Sequence, residues 1–365
     1  MNKVCHITSI HPRYDIRIYH KECKTLADNN YELSLIVADG LSDELKDNIN
    51  IYDIGRPTNR VSRMLGTTDK IYTKVLELKP EAVHFHDPEL INIGIRLAKL
   101  GYKVIYDVHE DVPKQILNKH WIPKLLRPLI AKLVGYKELQ GAKYFSAIVG
   151  ATQIITNRFS KVNQVTETIF NYPILNKLDR PIVKWDERSD RLCYIGSISE
   201  TRGIIPLVKS LALSKVPLDL AGSFSDPNLH EELKKLDGYK YVTYHGVLKH
   251  DEALKLLQSV KIGVVTLLPT PSYVESLPIK LFEYMQMGIP VIASDFSLWC
   301  DLVKDVGYMV DPRDELAIAK ATLELLNDPN AQNMGEAGVS LVNNKYNWEI
   351  EAHKLINLYQ KVLKQ

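Results

Sequence analysis

Two carboxylates eight positions apart, Glu275 and Glu283, are the pair in this chain best spaced to hold a ligand between them. They lie in Glu275-Ser-Leu-Pro-Ile-Lys-Leu-Phe-Glu283-Tyr-Met-Gln-Met-Gly288-Ile-Pro290-Val-Ile-Ala-Ser-Asp295. Glu275 falls in a Ser/Tyr/Pro-rich loop and Glu283 inside an apolar helical run. A Gly-x-Pro turn and the strand Val291-Ile-Ala follow. Pro278 suits the first helical turn, where its missing N–H costs nothing. That spacing predicts unpaired N–H groups near Ser276 and Leu277 at a positive helix end, a ready anion site. Glu283, about a turn inside, has two oxygens suited to a vicinal diol such as a ribose. A diphosphate between a sugar and a ribose fits this geometry. Taken alone, Glu283 is as readily a solvated carboxylate on an amphipathic helix.

A second candidate is Tyr194-Ile-Gly196-Ser197-Ile-Ser-Glu-Thr-Arg202-Gly203-Ile, which runs from a strand through a small-residue loop into a helix. Its backbone donors and the Arg202 guanidinium suit a diphosphate. A surface arginine at a helix start is the bland alternative. His and acidic residues gather in three more places: His11 to Arg17, His86-Asp87, and Asp107-Val-His109-Glu110. No Asp-x-Asp occurs, and no His/Cys/carboxylate set has metal-ligand spacing, so no metal and no cofactor is expected.

The elements that must position these residues alternate. Apolar runs at Val4–Ser9, Leu33–Val37, Ile51–Ile54, Ala82–Phe85, Val104–Asp107 and Ser146–Val149 read as strands. Helices are expected at Tyr19–Asn29, Val61–Leu78, Glu89–Leu100 and Lys124–Leu139. The pattern recurs from Leu192 to Leu326, with strands at 192–195, 218–221, 242–244, 262–265, 291–293 and 308–310 and helices between. Alternation of this length predicts an α/β protein with parallel, doubly wound sheets. A chain of 365 residues favours two domains. The Pro-containing stretch Asn171-Tyr-Pro to Pro181 breaks the pattern, giving expected domains at 1–171 and 172–347 and a last helix over 348–365.

Apolar content of 45% and charged content of 25% are ordinary globular values. A formal charge of +2 argues against a dedicated nucleic-acid protein. Cys5, Cys23, Cys193 and Cys300 are scattered, which fits a reduced cytoplasmic protein. The N-terminus reads as a first strand rather than a signal peptide. No run reaches 18 apolar residues, so no spanning segment is expected. Lys114 to Lys143 carries seven Lys or Arg and one acid, Glu138. This basic amphipathic stretch, beginning near Trp121, suits an anionic bilayer surface. It suits equally a packing helix in which Leu125, Leu129 and Leu133 serve a core.

The Glu-x7-Glu string with Pro, Phe-Glu-Tyr-Met and Gly-x-Pro-Val-Ile-Ala resembles the nucleotide-sugar segment of retaining GT-B glycosyltransferases of family 4. The resemblance implies two Rossmann-like doubly wound domains facing across a cleft. It also implies a C-terminal helix that returns to the N-terminal domain. On the donor side it implies Gly196, Arg202, Ser276, Leu277 and Glu283 around the nucleotide, with Val247 after His245-Gly246 reading the base through its backbone. The family usually has an Arg where Ser197 stands, and Lys280 or a residue of the N-terminal domain is a candidate to compensate. Glu275 and His109 correspond to residues that handle the transferred sugar; His109 bonded to a backbone carbonyl in a structural role is the alternative. His11, Arg13, Asp15, Arg17, His86, Asp87 and Glu110 are acceptor-side candidates, although Asp87 before Pro88 also suits a helix cap and the loop residues also suit a solvated role. The first loop lacks the family's Gly-Gly pair and looks like a subgroup from bacterial polysaccharide clusters. The implied activity is transfer from a nucleotide diphosphate sugar, UDP-sugar favoured, to a glycan or polyprenyl-linked acceptor, without metal or side-chain nucleophile. A non-catalytic nucleotide-sugar-binding subunit and a GT-B epimerase or hydrolase are the alternatives. A dehydrogenase is disfavoured, since no Gly-x-Gly-x-x-Gly follows a strand.

Overall fold

The computed structural model describes residues 1–118, 122–175 and 183–364. It comprises two compact units, Met1–Ile174 with Trp348–Gln365, and Leu175–Asn347. In unit 1 the strands are β1 (Lys3–Ile7), β2 (Glu32–Val37), β3 (Glu44–Lys46), β4 (Ile49–Asp53), β5 (Ala82–Phe85), β6 (Lys103–Val108), β7 (Ala147–Gly150) and β8 (Thr166–Thr168). They form one sheet in the order β3-β4-β2-β1-β5-β6-β7-β8, parallel except for β3 against β4. Helices cover both faces, so the central strands β1, β2, β5 and β7 are mostly apolar on both faces, while the edge strands β3 and β8 are polar. Leu33, Leu35 and Val37 of β2 enter one core cluster and Ile36 enters the other. The period of two explains that split.

The helix Trp348–Lys364 belongs to unit 1. Its buried Leu355, Leu358, Tyr359 and Val362 join the cluster of Val4, Leu33 and Leu35. Trp348 donates its backbone N–H to the Pro173 carbonyl at 2.8 Å and its indole N–H to Thr25 Oγ1 at 2.9 Å.

Unit 2 has β9 (Ser189–Ile195), β10 (Leu218–Ala221), β11 (Val242–Tyr244), β12 (Val260–Val265), β13 (Val291–Ser294) and β14 (Gly307–Val310). Their order is β11-β10-β9-β12-β13-β14, all parallel. The order reverses direction at β9, so the loop after β9 sits at a topological switch point, where open α/β sheets bind ligands.

Several elements depart from the periodicity. The expected helix Tyr19–Asn29 is a π-helix over Ile16–Cys23 followed by an α-helix over Lys24–Asp28. The wider turn starts where both Tyr19 and His20 donate to the Asp15 carbonyl. It buries Arg17, Lys21 and Glu22, which a regular amphipathic helix would expose. The expected helix Lys124–Leu139 starts at Arg127 and runs to Ala142, preceded by a separate helix Val112–Asn118. Leu125, Leu129 and Leu133, offered above as core residues, are exposed. Trp121 and most of the Pro-rich break lie outside the described residues. The helices Gln153–Phe159 and Ala331–Asn344 were not anticipated. Among the described residues no helix is long and apolar enough to cross a membrane.

Candidate functional site

The unit 2 constellation is built on the end of β9. Gly196 has φ +131 and, if it bore a Cβ, that atom would collide with Cε and Nζ of Lys280. Lys280 reaches back from the helix Ile279–Gln286 through the space this glycine leaves. Its Nζ donates to Tyr194 Oη at 3.3 Å and lies 4.4 Å from the Tyr194 ring centre. Tyr194 Oη donates in turn to the Ser197 carbonyl at 2.7 Å. Arg202 closes the same loop, its guanidinium carbon 5.9 Å from the Tyr273 ring centre. Gly203, at φ +73, then starts the helix Ile204–Ser214.

Burial, and then the neighbouring Arg202, pull the Lys280 ammonium down to about 7; Glu283 opposes them. Two cations held close in a desolvated loop disfavour each other. An anion between them would relieve that repulsion and hold Lys280 charged. The N–H groups of Leu277, Ile279 and Lys280 meet no backbone acceptor among the described residues. That corrects the expectation at Ser276, whose N–H donates to the Tyr273 carbonyl at 3.1 Å. Pro278 also stands one position earlier than expected, as the cap before Ile279 rather than inside the first turn. The Ser276 carbonyl accepts the Trp299 indole N–H at 2.7 Å, which pins the loop carrying Glu275. Glu275 and Glu283 are both half-buried. Ser197 brings no cation to the loop, and Lys280 stands beside it instead. Val247 is exposed, and the preceding Gly246 accepts a hydrogen bond from the Gly222 N–H at 2.7 Å.

Gly196→Ala is expected to displace Lys280 and strain the backbone by about 1–3 kcal/mol. A lower Tm together with weaker anion binding is the expected result. Unchanged affinity for diphosphates would remove Lys280 from the site.

The unit 1 constellation centres on Asp107 of β6, to which the sequence reading gave no role of its own. Arg17 Nε and a terminal guanidinium nitrogen donate to its two oxygens, both at 2.8 Å. His109 Nε2 lies 2.8 Å from Asp107 Oδ2, and His86 Nδ1 lies 3.2 Å from the same oxygen. His6 Nδ1 is 3.0 Å from His86 Nε2, Tyr359 Oη is 3.0 Å from His6 Nε2, and His84 Nδ1 is 2.9 Å from Tyr359 Oη. With every buried histidine neutral, one set of protons satisfies these contacts. His84 donates to Tyr359, Tyr359 to His6, His6 to His86, and His86 and His109 both to Asp107. His109 Nδ1 takes no part in these contacts, and its ring is partly exposed. Burial supports the neutral states: it brings His86 down to about 4 and, with neighbouring histidines, holds His6 and His84 well below the usual value. Burial opposes ionisation of Asp107, but Arg17 and His109 hold its carboxyl well below the usual range.

Glu22 is buried beside this pair. Burial and then Asp107 push its carboxyl well above the usual range. Arg17 Nε lies 3.1 Å from it, yet that hydrogen is directed at Asp107, and neither Glu22 oxygen is hydrogen-bonded among the described residues. The fold thus gathers Glu22, His84, His86 and Asp107 with candidate ligand atoms within 4.8 Å, which no sequence spacing announced. The Arg17 guanidinium already supplies the cation there.

Tertiary structure sorts the acceptor-side candidates. His11 is half-buried, 3.2 Å from Asp15 and 3.5 Å from Asp87, and its ring centre is 5.1 Å from that of His109. Burial works against charging His11, but Asp15, Asp87 and Asp107 outweigh it and raise its pKa. Glu110 is exposed. Arg13 is buried, paired with both oxygens of Asp39 at 2.8 Å and with the Leu41 carbonyl, so it clamps a loop and does not open outward. Arg17 and His86 are likewise interior. Asp87 makes no side-chain cap; its Oδ2 accepts from the Ser9 N–H at 2.6 Å and Thr8 Oγ1 at 2.8 Å, fixing the loop that carries His11.

Residues 189–328 match the family described as Glycosyl transferases group 1. The chain is 23% identical to the sulfoquinovosyl transferase SQD2 of Arabidopsis thaliana over 82% of its own length and 60% of that protein. It is 24% identical to the O-antigen chain mannosyltransferase B of Escherichia coli over 46% of its own length and 45% of that protein. The chain thus spans less than two thirds of the length of these curated relatives. The structure of Anabaena HepE, solved with UDP and glucose, superposes with a TM-score of 0.73 at 13% identity, covering 99% of this chain and 100% of that one. The fold is that of GT-B glycosyltransferases, and the stretch that matches the group 1 family model lies within unit 2.

Proposed function

We propose that this protein is a retaining glycosyltransferase that takes its sugar from a nucleotide diphosphate sugar, UDP-sugar favoured. The observation that carries this reading is that Lys280, lying in the space left by Gly196, and Arg202 both meet the Tyr194 side chain at the start of the helix that bears Glu283. In it, Arg202, Lys280 and the free N–H groups of that helix hold the diphosphate, and Glu283 takes the ribose. Charge developing on the leaving diphosphate is met by these preorganised donors, with no metal required. The Gly246-Val247 backbone lies against the base. Glu275 orients the transferred sugar.

On the acceptor side, His109, His11, Asp15 and Glu110 are the accessible groups, with His109 held by Asp107. Retention assigns the acceptor proton to the leaving phosphate, so His109 orients rather than forms a covalent bond. The acceptor is a glycan or polyprenyl-linked glycan of a bacterial surface polysaccharide, made on the cytoplasmic side. The relation to the E. coli O-antigen mannosyltransferase supports that choice.

A thermal-shift panel of UDP, GDP, ADP and their sugar conjugates tests the donor site. A ligand at about 100 times its Kd stabilises by about 2.7 kcal/mol. One nucleotide family should raise the Tm of the wild type and leave Glu283→Ala unmoved. No shift with any nucleotide would favour a subunit that binds none. Donor hydrolysis without acceptor, at full rate, would favour the hydrolase alternative.

A further inference from the structure

The helix Arg127–Ala142 has three sides. Ala131, with Ile130 and Val134, packs in a small cluster with Ile116, Ile122 and Val112 around the helix Val112–Asn118. Glu138, Gly141 and Ala142 face the body of unit 1. Glu138 there accepts from Tyr106 Oη at 3.0 Å and pairs with Arg158, while a Cβ at Gly141 would strike Ile91. The third side is apolar and open. Leu129 is 58% exposed, Leu133 60% and Tyr136 64%, and Leu125 in the preceding turn is 94% exposed. Spacings of four and three place Leu129, Leu133 and Tyr136 on one stripe.

The exposed charges along this segment are of one sign. Lys124, Lys132, Lys137 and Lys143 are exposed. Between Ile122 and Lys143 the only acid is Glu138, and it is buried. A second copy of this chain would set lysine against lysine on such a face. An apolar stripe framed by exposed lysines instead matches a surface that is negative outside and hydrocarbon beneath.

We propose that this face docks on an anionic lipid bilayer, with Leu125, Leu129, Leu133 and Tyr136 entering the headgroup boundary and the lysines contacting acidic headgroups. The proposal adds a partner to the transferase reading and does not depend on it, because the face is described within unit 1 alone and its test uses no nucleotide.

The experiment is co-sedimentation of the full chain with vesicles of phosphatidylcholine alone and of phosphatidylcholine mixed with phosphatidylglycerol. Wild type should partition onto the mixed vesicles about tenfold or more better than onto the neutral ones, and lose that preference in high salt. Leu129→Gln/Leu133→Gln and, separately, Lys132→Glu/Lys137→Glu should each reduce partitioning about tenfold with Tm unchanged. All four positions are exposed, so the fold is not at stake. Equal binding to neutral vesicles, no binding to either, or variants that bind as wild type would each overturn the proposal. So would a concentration-dependent dimer, seen by light scattering and abolished by the leucine variant.

Discussion

Lys280→Met is expected to abolish most catalysis while making the unliganded protein more stable. Removing one preorganised donor to a developing oxyanion costs about 10²–10³-fold in kcat, or about 3–4 kcal/mol. Methionine keeps the length of the aliphatic stem and its packing against Tyr194 and the Gly196 backbone. The stability gain follows from linkage. The Lys280 ammonium falls from its ordinary value of 10.5 in the unfolded chain to about 7 in the fold. Below pH 7 both states are charged, and the native state bears the whole burden of a desolvated ammonium beside Arg202. As pH rises from 7 toward 10.5 the native state sheds its proton before the unfolded state does, and that burden is relieved. The methionine variant never carries it, so its Tm should exceed that of wild type by the widest margin at or below neutral pH. Because a bound diphosphate restores the charge, nucleotide binding near pH 7 to 8 should take up a proton. Calorimetry in buffers of different ionisation enthalpy reads that uptake directly. A variant with normal kcat, or binding without proton uptake, would place the diphosphate elsewhere.

The second large effect concerns the buried carboxylates of unit 1. Arg17→Met leaves Asp107 ionised and unpaired among His86 and His109, and should destabilise unit 1 by about 3–5 kcal/mol. Asp107→Asn should cost less, because Glu22, only 3.1 Å from Arg17 Nε, can ionise and take over the pairing. The double variant Glu22→Gln/Asp107→Asn removes that rescue and should lose as much as Arg17→Met. The coupling between the two acids is therefore non-additive, and a denaturation cycle of the four proteins measures it. Additive losses would mean that Glu22 stays protonated whatever its neighbour does.

The same cluster predicts acid sensitivity. His6, His84 and His86 have depressed pKa values in the fold, so the stability they contribute is present above the unfolded value near 6.5 and is lost as pH falls toward the folded value. His86 alone, at about 4 in the fold, accounts for about 2 kcal/mol between pH 7 and pH 5. A melt of unit 1 that is flat across that interval would contradict the neutral hydrogen-bond chain from His84 to Asp107.

Much of the fold was legible because its signals are local. Alternating short apolar runs and 3.6-period stretches imply parallel sheets, since only strands covered on both faces need be apolar on both. The Glu275-to-Asp295 string could be read as loop, helix, turn and strand because proline, glycine and hydrophobic period mark each boundary. Arg202 was named because a strand–small-residue loop–helix passage is an anion site whatever surrounds it, and Lys280 because the family resemblance left a cation missing at Ser197. What escaped depended on contacts far apart in sequence. Nothing near Asp107 announces that Arg17, 90 residues away, will grip it, or that Tyr359 will complete a chain through His6 and His86. A π-turn that buries Arg17 and Glu22 has no reliable composition. Arg13 and Arg17 look like cleft residues in a polar loop, yet the acids that claim them, Asp39 and Asp107, lie in other strand-end segments. Likewise the leucines of the helix Arg127–Ala142 carry a core pattern, and only the packing of Ala131, Glu138 and Gly141 decided which side of that helix was left outside. The sequence by itself determined the alternation of strands and helices, which runs are apolar and that the helix following Pro278 would open on backbone donors, because those follow from neighbours a few residues apart. Tertiary structure alone decided which charges are partnered, which are neutral and which remain open, because burial and charge pairing are properties of the space between elements.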